Sequence, residues 1–246
     1  MKDFTAIILA SGIGKRLRPL TDSLPKSLIE IGGRSLLERQ LDSLTPQGCS
    51  HIIITTGHCG DKIKQFVEDN YHNYQIELVY NSKYEITNYI YSLWLIKSNL
   101  KQNVILLHGD LVYENEVLKG LVDSPLENAV IVSHDAKKLN KDFKAVVEDG
   151  KISRIGVQYS GPNTFSCLPL YKLSLKFIST WQARIDEFIS DNKVSCYAED
   201  ALNTLMPGLG LCPFYIRNKF CMEIDTYEDL EIASSHPESR NFMLEY

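Results

Sequence analysis

The 246-residue chain predicts an α/β fold, a Rossmann-like, doubly wound, mostly parallel mixed sheet with a smaller β/α elaboration after it. Three observations predict it. Short runs that are apolar throughout mark strands buried on both faces of a sheet. These runs alternate with segments whose apolar residues recur at helical spacing, as parallel crossovers require. The first strand, moreover, runs straight into a glycine-rich cationic loop, "ASGIGKRLRPL".

Taken in order, "FTAIILA" (4–10), "HIIITTG" (51–57), "IELVYN" (76–81), "NVILLHGD" (103–110) and "NAVIVSHD" (128–135) read as strands. Between them, residues 35–44, 61–70, 88–100 and 115–124 carry helical periodicity. The rhythm changes after about residue 140. "KAVVEDGKISRIGV" is a hairpin turning at Asp149-Gly150, and "TFSCLPLYKL" is a further strand. Residues 174–192 form an amphipathic helix, and a shorter one covers "AEDALNTLM". The chain closes with strands "CPFYIRN" and "CMEID" and a helix over "TYEDLEIASS". With no repeat or linker, residues 1–246 read as one domain, with a nucleotide-binding core (1–140) and an acceptor-binding, sheet-completing part (141–246).

A hydrophobic fraction of 44% and a charged fraction of 23% are those of an ordinary globular protein. The net charge of −5 argues against a general nucleic-acid binder. Cys49, Cys59, Cys167, Cys196, Cys212 and Cys221 contain no C-x-x-C pair and read as reduced thiols. No apolar run is long enough for a membrane span or a signal peptide, so a cytoplasmic location is expected. The cations of the first loop are therefore a local feature of an acidic protein.

That loop suits a polyphosphate. Gly12 and Gly14 permit close backbone approach and free amide groups, and Lys15, Arg16 and Arg18 add charge. The spacing matches neither a Walker loop nor G-x-G-x-x-G. The longer string "LASGIGKRLRPLTDSLPKSLIEIGGRSLLERQL" resembles the signature of the nucleotidyltransferases that include sugar-1-phosphate pyrophosphorylases and small cytidylyltransferases. The resemblance covers some thirty consecutive residues, apart from Ser11, where relatives carry Ala or Gly. It implies a nucleotide-diphospho-sugar transferase fold. It also implies that Leu9, Ala10, Ser11, Gly12 and Gly14 wrap the nucleotide, that Lys15 and Arg16 reach the outer phosphates, and that Lys26 sits at the α-phosphate.

Mg²⁺ is the cofactor such chemistry calls for, held by hard oxygen ligands. Asp110, with Gly109 beside it, ends an apolar strand where open α/β sheets bind ligands; the plainer reading is a helix cap. "CMEIDTYEDL" resembles the family's closing motif and offers Asp225 as second ligand, in preference to Glu223, Glu228 and Asp229. Here too an N-cap at Asp225 or Thr226 is the plainer reading. Thr56 and Gly57 are expected near the base. His58 and Cys59 suit a helix-opening loop better than a nucleophilic dyad, and His108 is given no role.

"YNSKYEITNYIYSLWLIKSNL" resembles CTP-using relatives, those acting on phosphocholine and 2-aminoethylphosphonate above all, whereas the sugar-binding Glu-Lys-Pro string of pyrophosphorylases is missing. Asn81, Thr87, Asn88 and Ser92 are typed to read a pyrimidine, with Thr87 or Asn88 also a candidate helix cap. For an aminated acceptor, Tyr197, Glu199 and Asp200 are the expected contacts, with Trp181, Tyr159 and Tyr171 as possible cage walls. The first turn of a helix is the plainer place for both acids. The expectation is a Mg²⁺-dependent cytidylyltransferase, monomeric or homodimeric, using CTP and a small phosphate or phosphonate acceptor, with neither nucleic acid nor membrane as partner. The competing readings are a sugar-1-phosphate transferase using UTP or dTTP, and a non-catalytic nucleotide sensor.

Overall fold

The computed structural model describes residues 1, 3–134, 142–206 and 208–237. The elements are β1 (Phe4–Ala10), β2 (Glu30–Ile31), β3 (Arg34–Ser35), α1 (Leu36–Leu44), β4 (Cys49–Thr56), α2 (Gly60–Asn70) and β5 (Ile76–Tyr80). There follow α3 (Tyr89–Leu95), β6 (Val104–His108), β7 (Leu111–Tyr113), α4 (Asn115–Asp123) and β8 (Ala129–Ser133). The rest comprises β9 (Lys144–Glu148), β10 (Lys151–Gly156), β11 (Thr164–Leu173), α5 (Leu175–Ser190), α6 (Ala198–Asn203), β12 (Cys212–Ile216), β13 (Cys221–Glu223) and α7 (Tyr227–Ser235).

The main sheet runs β10-β9-β11-β6-β1-β4-β5, with β8 beside β11 and β12 beside β8. Strands β6, β1, β4 and β5 are parallel, while β11 is antiparallel to its neighbours. The sheet is thus mixed and mostly parallel in the half built from the first strands, as the apolar runs predict. Strand β1 is buried along its whole length. Its side chains alternate between the two faces, Ala6 and Ile8 packing with α1, α2 and α4, Ile7 and Leu9 with α3, α5 and α6. A third apolar cluster, with Leu17, Ile29, Leu36 and Ile224, anchors the first loop.

Local chemistry sets the boundaries. Ser35 and Glu38 form a reciprocal capping box at the start of α1. Asp149 and Gly150 both take positive φ, 50° and 74°, as a two-residue hairpin of this twist needs. Pro169 lies where the register between β11 and β8 shifts, so its missing N–H falls in an irregular stretch. The helix predicted over 88–100 ends at Leu95 and continues only as a 3-10 turn at Lys97–Asn99. The one predicted over "AEDALNTLM" ends at Asn203. Asp135, predicted to end a strand, lies outside the described residues. Strands β2, β3 and β7 escape a periodicity analysis because each has two or three residues. Among the described residues no helix is long and apolar enough to cross a membrane.

One buried side chain ties a helix to the turn that follows β6. Gln40 of α1 donates through Nε2 to the carbonyls of His108 (2.9 Å) and Leu111 (2.8 Å), on either side of Gly109-Asp110. Removing the amide strands two buried acceptors and opens a void. Gln40→Ala is expected to lower unfolding free energy by about 2–4 kcal/mol in urea titration.

Candidate active site

Three loops converge at the carboxyl ends of the parallel strands. The loop after β1 turns at Gly14, whose φ of 69° suits glycine and whose added Cβ would stand 3.0 Å from Thr21 Cγ2. The Thr21 hydroxyl donates to the Gly14 carbonyl (2.9 Å), and Leu17 is buried beyond it. Lys15, Arg16 and Arg18 consequently remain exposed on a fixed turn. The loop after β4 comes so close that a Cβ on Gly57 would lie 2.5 Å from the Ser11 carbonyl oxygen. Gly109, after β6, donates its N–H to Leu9 (2.9 Å), and its own Cβ would meet that same carbonyl at 3.0 Å.

At this junction Lys26 projects from a 3-10 turn after Pro25 and joins two acids remote in sequence. Its Nζ donates to Asp110 Oδ2 at 2.5 Å and to Asp225 Oδ1 at 2.6 Å. Arg16, exposed over half its side chain (54%), pairs with the other Asp225 oxygen at 2.9 Å. Burial pulls the Lys26 ammonium down, but the two aspartates outweigh it and its pKa is raised. Burial likewise pushes the Asp110 carboxyl up, yet the charges of Lys26 and then His108 hold it below the usual carboxylate range. Thr226, not Asp225, caps α7, its hydroxyl accepting from the Asp229 amide. The Asp225 carboxylate is thereby left to the two cations.

The acids are presented by a two-stranded ribbon outside the main sheet. Strand β13 pairs antiparallel with β7, and the Ile224 amide donates to the Asp110 carbonyl at 2.9 Å. This brings in a residue that the sequence reading ranked behind Asp225. Glu223 lies with His108 and Asp110 so that one ligand atom of each falls within 4.8 Å of the others. Burial raises the Glu223 pKa; the neighbouring His108 opposes it and the Asp110 charge adds to it. The signal in the sequence was an acid two residues before Asp225; β13 ends at Glu223, short of the predicted strand "CMEID".

A divalent ion fits these residues. Asp110 Oδ1 is buried with no hydrogen-bond partner among the described residues, an expensive state for a carboxylate oxygen unless a cation meets it. The oxygen donors of that cluster, Asp110 and Glu223, suit hard Mg²⁺, whereas Asp225, the second ligand expected from the sequence, is not one of its three members and is joined to Asp110 through Lys26.

A cleft of about 160 Å³ lies against this centre. Of the expected nucleotide contacts, Leu9, Ala10, Ser11, Gly12, Lys26, Asn81, Thr87, Asn88 and Gly109 line it, together with Asp110 and the unforeseen Ser27, Tyr84, Tyr89 and His108. Gly14, Lys15, Arg16, Thr56, Gly57 and Ser92 do not line it. Thr56 and Ser92 are buried, and Ser92 bonds Ser11 (2.7 Å) and Asn81 (3.1 Å). Thr56 accepts the Asn81 amide at its carbonyl (2.7 Å). These two therefore brace the cleft wall from behind. Asn88, rather than Thr87, caps α3 by accepting from the Tyr89 amide at 2.7 Å. His58 and Cys59 form a helix-opening loop, the His58 ring bonded to the Thr21 carbonyl at 2.6 Å.

A second cavity, of about 660 Å³, has Glu223 and Asp225 in its wall, with Phe143, Ser166 and Met222 among its other lining residues. None of Tyr197, Glu199 and Asp200 lines either space. Glu199 is 2% exposed and accepts from the hydroxyls of Tyr89 and Tyr171, so its carboxylate is occupied. Asp200 accepts from the Tyr197 amide at 2.9 Å as the first-turn acid of α6. Of the suggested cage walls, Trp181 and Tyr171 are buried in the core. Tyr197 is nearer the site, its ring 4.9 Å from Phe143 and 6.0 Å from Tyr89.

A family model described as the MobA-like NTP transferase domain matches residues 6–198. The chain is 28% identical to CTP:phosphoglutamine cytidylyltransferase of Campylobacter jejuni, over 92% of this chain and 98% of that protein. It is 29% identical to the bifunctional IPC transferase and DIPP synthase of Aquifex aeolicus, over 94% of the chain but about half (51%) of that relative's length. The solved CTP:phosphocholine cytidylyltransferase of Streptococcus pneumoniae superposes with a TM-score of 0.78 at 23% identity, over 95% of this chain and 98% of that one.

The tight meeting of the first two loops generates a test. Gly57→Ala forces a methyl group against the Ser11 carbonyl and Tyr84. The expected result in steady-state assays is a nucleotide KM raised about tenfold or more, with a lowered melting temperature.

Proposed function

The chain belongs to the family of MobA-like NTP transferase domains, a family of transferase enzymes, and on that premise we propose that it is a Mg²⁺-dependent cytidylyltransferase. The substrates in this reading are CTP and a small phosphate or phosphonate acceptor bearing an amine, of the phosphocholine or 2-aminoethylphosphonate kind. One observation carries the proposal. Asp110 faces the cleft, Asp225 and Glu223 face the larger cavity, and Lys26 bridges Asp110 to Asp225 between them. Two substrates entering from the two spaces meet at one charged centre.

CTP would occupy the cleft, with its pyrimidine edge toward Asn81, Thr87 and Asn88 and its phosphates along Leu9–Gly12. An acceptor oxygen attacks the α-phosphorus in line, forming a new P–O bond. The bond to the β-phosphate oxygen breaks, and its electron pair leaves with pyrophosphate. Phosphate and phosphonate oxygens are already anionic nucleophiles, so no general base is required. The obstacle is repulsion between anions, which fixed positive charge removes.

Lys26 provides that charge next to the α-phosphate, shifting its donors from the aspartates to the reacting phosphoryl oxygens. Arg16 is placed at the rim, tethered through Asp225, to draw the outer phosphates. Mg²⁺, when held by Asp110, Asp225 and Glu223, supplies further neutralisation of phosphate charge.

The direct test crosses CTP, UTP and dTTP with phosphocholine, 2-aminoethylphosphonate, phosphoethanolamine, inositol phosphate and sugar phosphates while pyrophosphate release is followed. CTP with an aminated acceptor is expected to lead by about tenfold or more. A lead for UTP or dTTP with a sugar phosphate replaces this reading with a sugar-phosphate transferase. In the same assay Lys26→Ala should lower kcat by about 10²–10³-fold, and Asp110→Ala should remove metal-dependent turnover. A Lys26→Ala enzyme with unchanged kcat and a raised KM for CTP would contradict the role given to the ammonium.

A further inference from the structure

His108 has no part in the reaction as described, yet its ring stands in the metal centre. It ends β6, is buried, and lines the cleft beside Asp110. Its Nδ1 lies 3.5 Å from Glu223 Oε1, long for a hydrogen bond. Ligand atoms about 2.0–2.5 Å from one ion stand roughly 2.8–3.5 Å from each other when at right angles. The spacing of the histidine nitrogen and the glutamate oxygen is of that size, and the orphaned Asp110 Oδ1 adds a buried donor to the cluster.

The imidazole is also held in place from behind. Tyr89 packs edge-on against it with ring centroids 4.7 Å apart. The Tyr89 hydroxyl is fixed in turn by the buried Glu199, which Tyr171 braces at 2.8 Å. A ring clamped this way keeps its nitrogen aimed without reorganisation on binding.

We infer that His108 joins Asp110 and Glu223 as a nitrogen ligand of the divalent ion, giving the centre a preference for a borderline transition ion such as Co²⁺ over Mg²⁺. The inference rests on the metal centre proposed above and concerns which ion it selects. Imidazole adds more affinity for first-row transition ions than for Mg²⁺, whose coordination is satisfied by oxygen and water.

The test uses the full chain and direct binding. Mn²⁺-loaded protein, prepared with natural-abundance and with ¹⁵N-labelled histidine, is examined by pulsed EPR. The expected signature is an imidazole nitrogen modulation that changes with the label and is lost in His108→Asn. In calorimetric titrations His108→Asn should weaken Co²⁺ binding about tenfold and leave Mg²⁺ binding within about twofold. Tightly bound Mn²⁺ without histidine modulation in the unsubstituted protein overturns the inference, and that result stands even if His108→Asn fails to fold. Equal loss of Co²⁺ and Mg²⁺ affinity in a folded His108→Asn also overturns it. Asp110→Asn separates the two levels. Divalent binding that survives this change removes the metal centre itself, whereas binding that is lost, with no nitrogen modulation in the parent, removes only the histidine ligand.

Discussion

A single ammonium group held between two carboxylates is the constraint around which the molecule is arranged. Lys26 touches Asp110 and Asp225 at 2.5 and 2.6 Å, and these partners are 84 and 199 residues away in sequence. Taking such charges partly out of water is costly and is recovered only with good geometry and complete pairing. Arg16 contributes by taking the second Asp225 oxygen. The other Asp110 oxygen is buried and has no hydrogen-bond partner among the described residues. The centre is therefore both a long-range tie and an incomplete one, stable enough to assemble yet still receptive to positive charge.

The scaffold meets that constraint with backbone more than with side chains. Gly57 and Gly109 let neighbouring loops touch where any Cβ would intervene. Gln40 reaches across from α1 to fix both sides of the turn that bears Asp110. The β7–β13 ribbon then sets Glu223 and Asp225 beside that turn through one register. The serine and asparagine network behind the cleft, Ser11 to Ser92 to Asn81, holds the wall by mutual hydrogen bonds.

What could be read from the sequence was what depends on neighbours along the chain. Strand β1, the amphipathic helix α5 and the Asp149-Gly150 hairpin each announce themselves by periodicity or turn chemistry. Lys26, Asp110 and Asp225 were found through a contiguous motif and strand-end positions. Other positions depend on contacts that are distant in sequence. Glu199 and Asp200 carry the charge an acceptor site would want, but a tyrosine 110 residues away claims one and the local helix start claims the other. His108 was given no role because its neighbours, Tyr89 and Glu223, reach it only through the sheet and the ribbon. Strand β7 has three residues and no period to detect; its existence follows from the partner that arrives late in the chain.

That late arrival has a consequence for how the enzyme comes into being. Strand β13 lies far along the chain, and its pairing with β7 closes a long loop, which is entropically slow compared with forming the local βα units before it. A polypeptide part-way through synthesis already possesses the glycine loop, Lys26 and Asp110. It lacks Glu223 and Asp225, so Lys26 has only one of its two carboxylate partners. The centre is thus completed only when β13 joins, and a fragment ending before Glu223 lacks two of its three carboxylates.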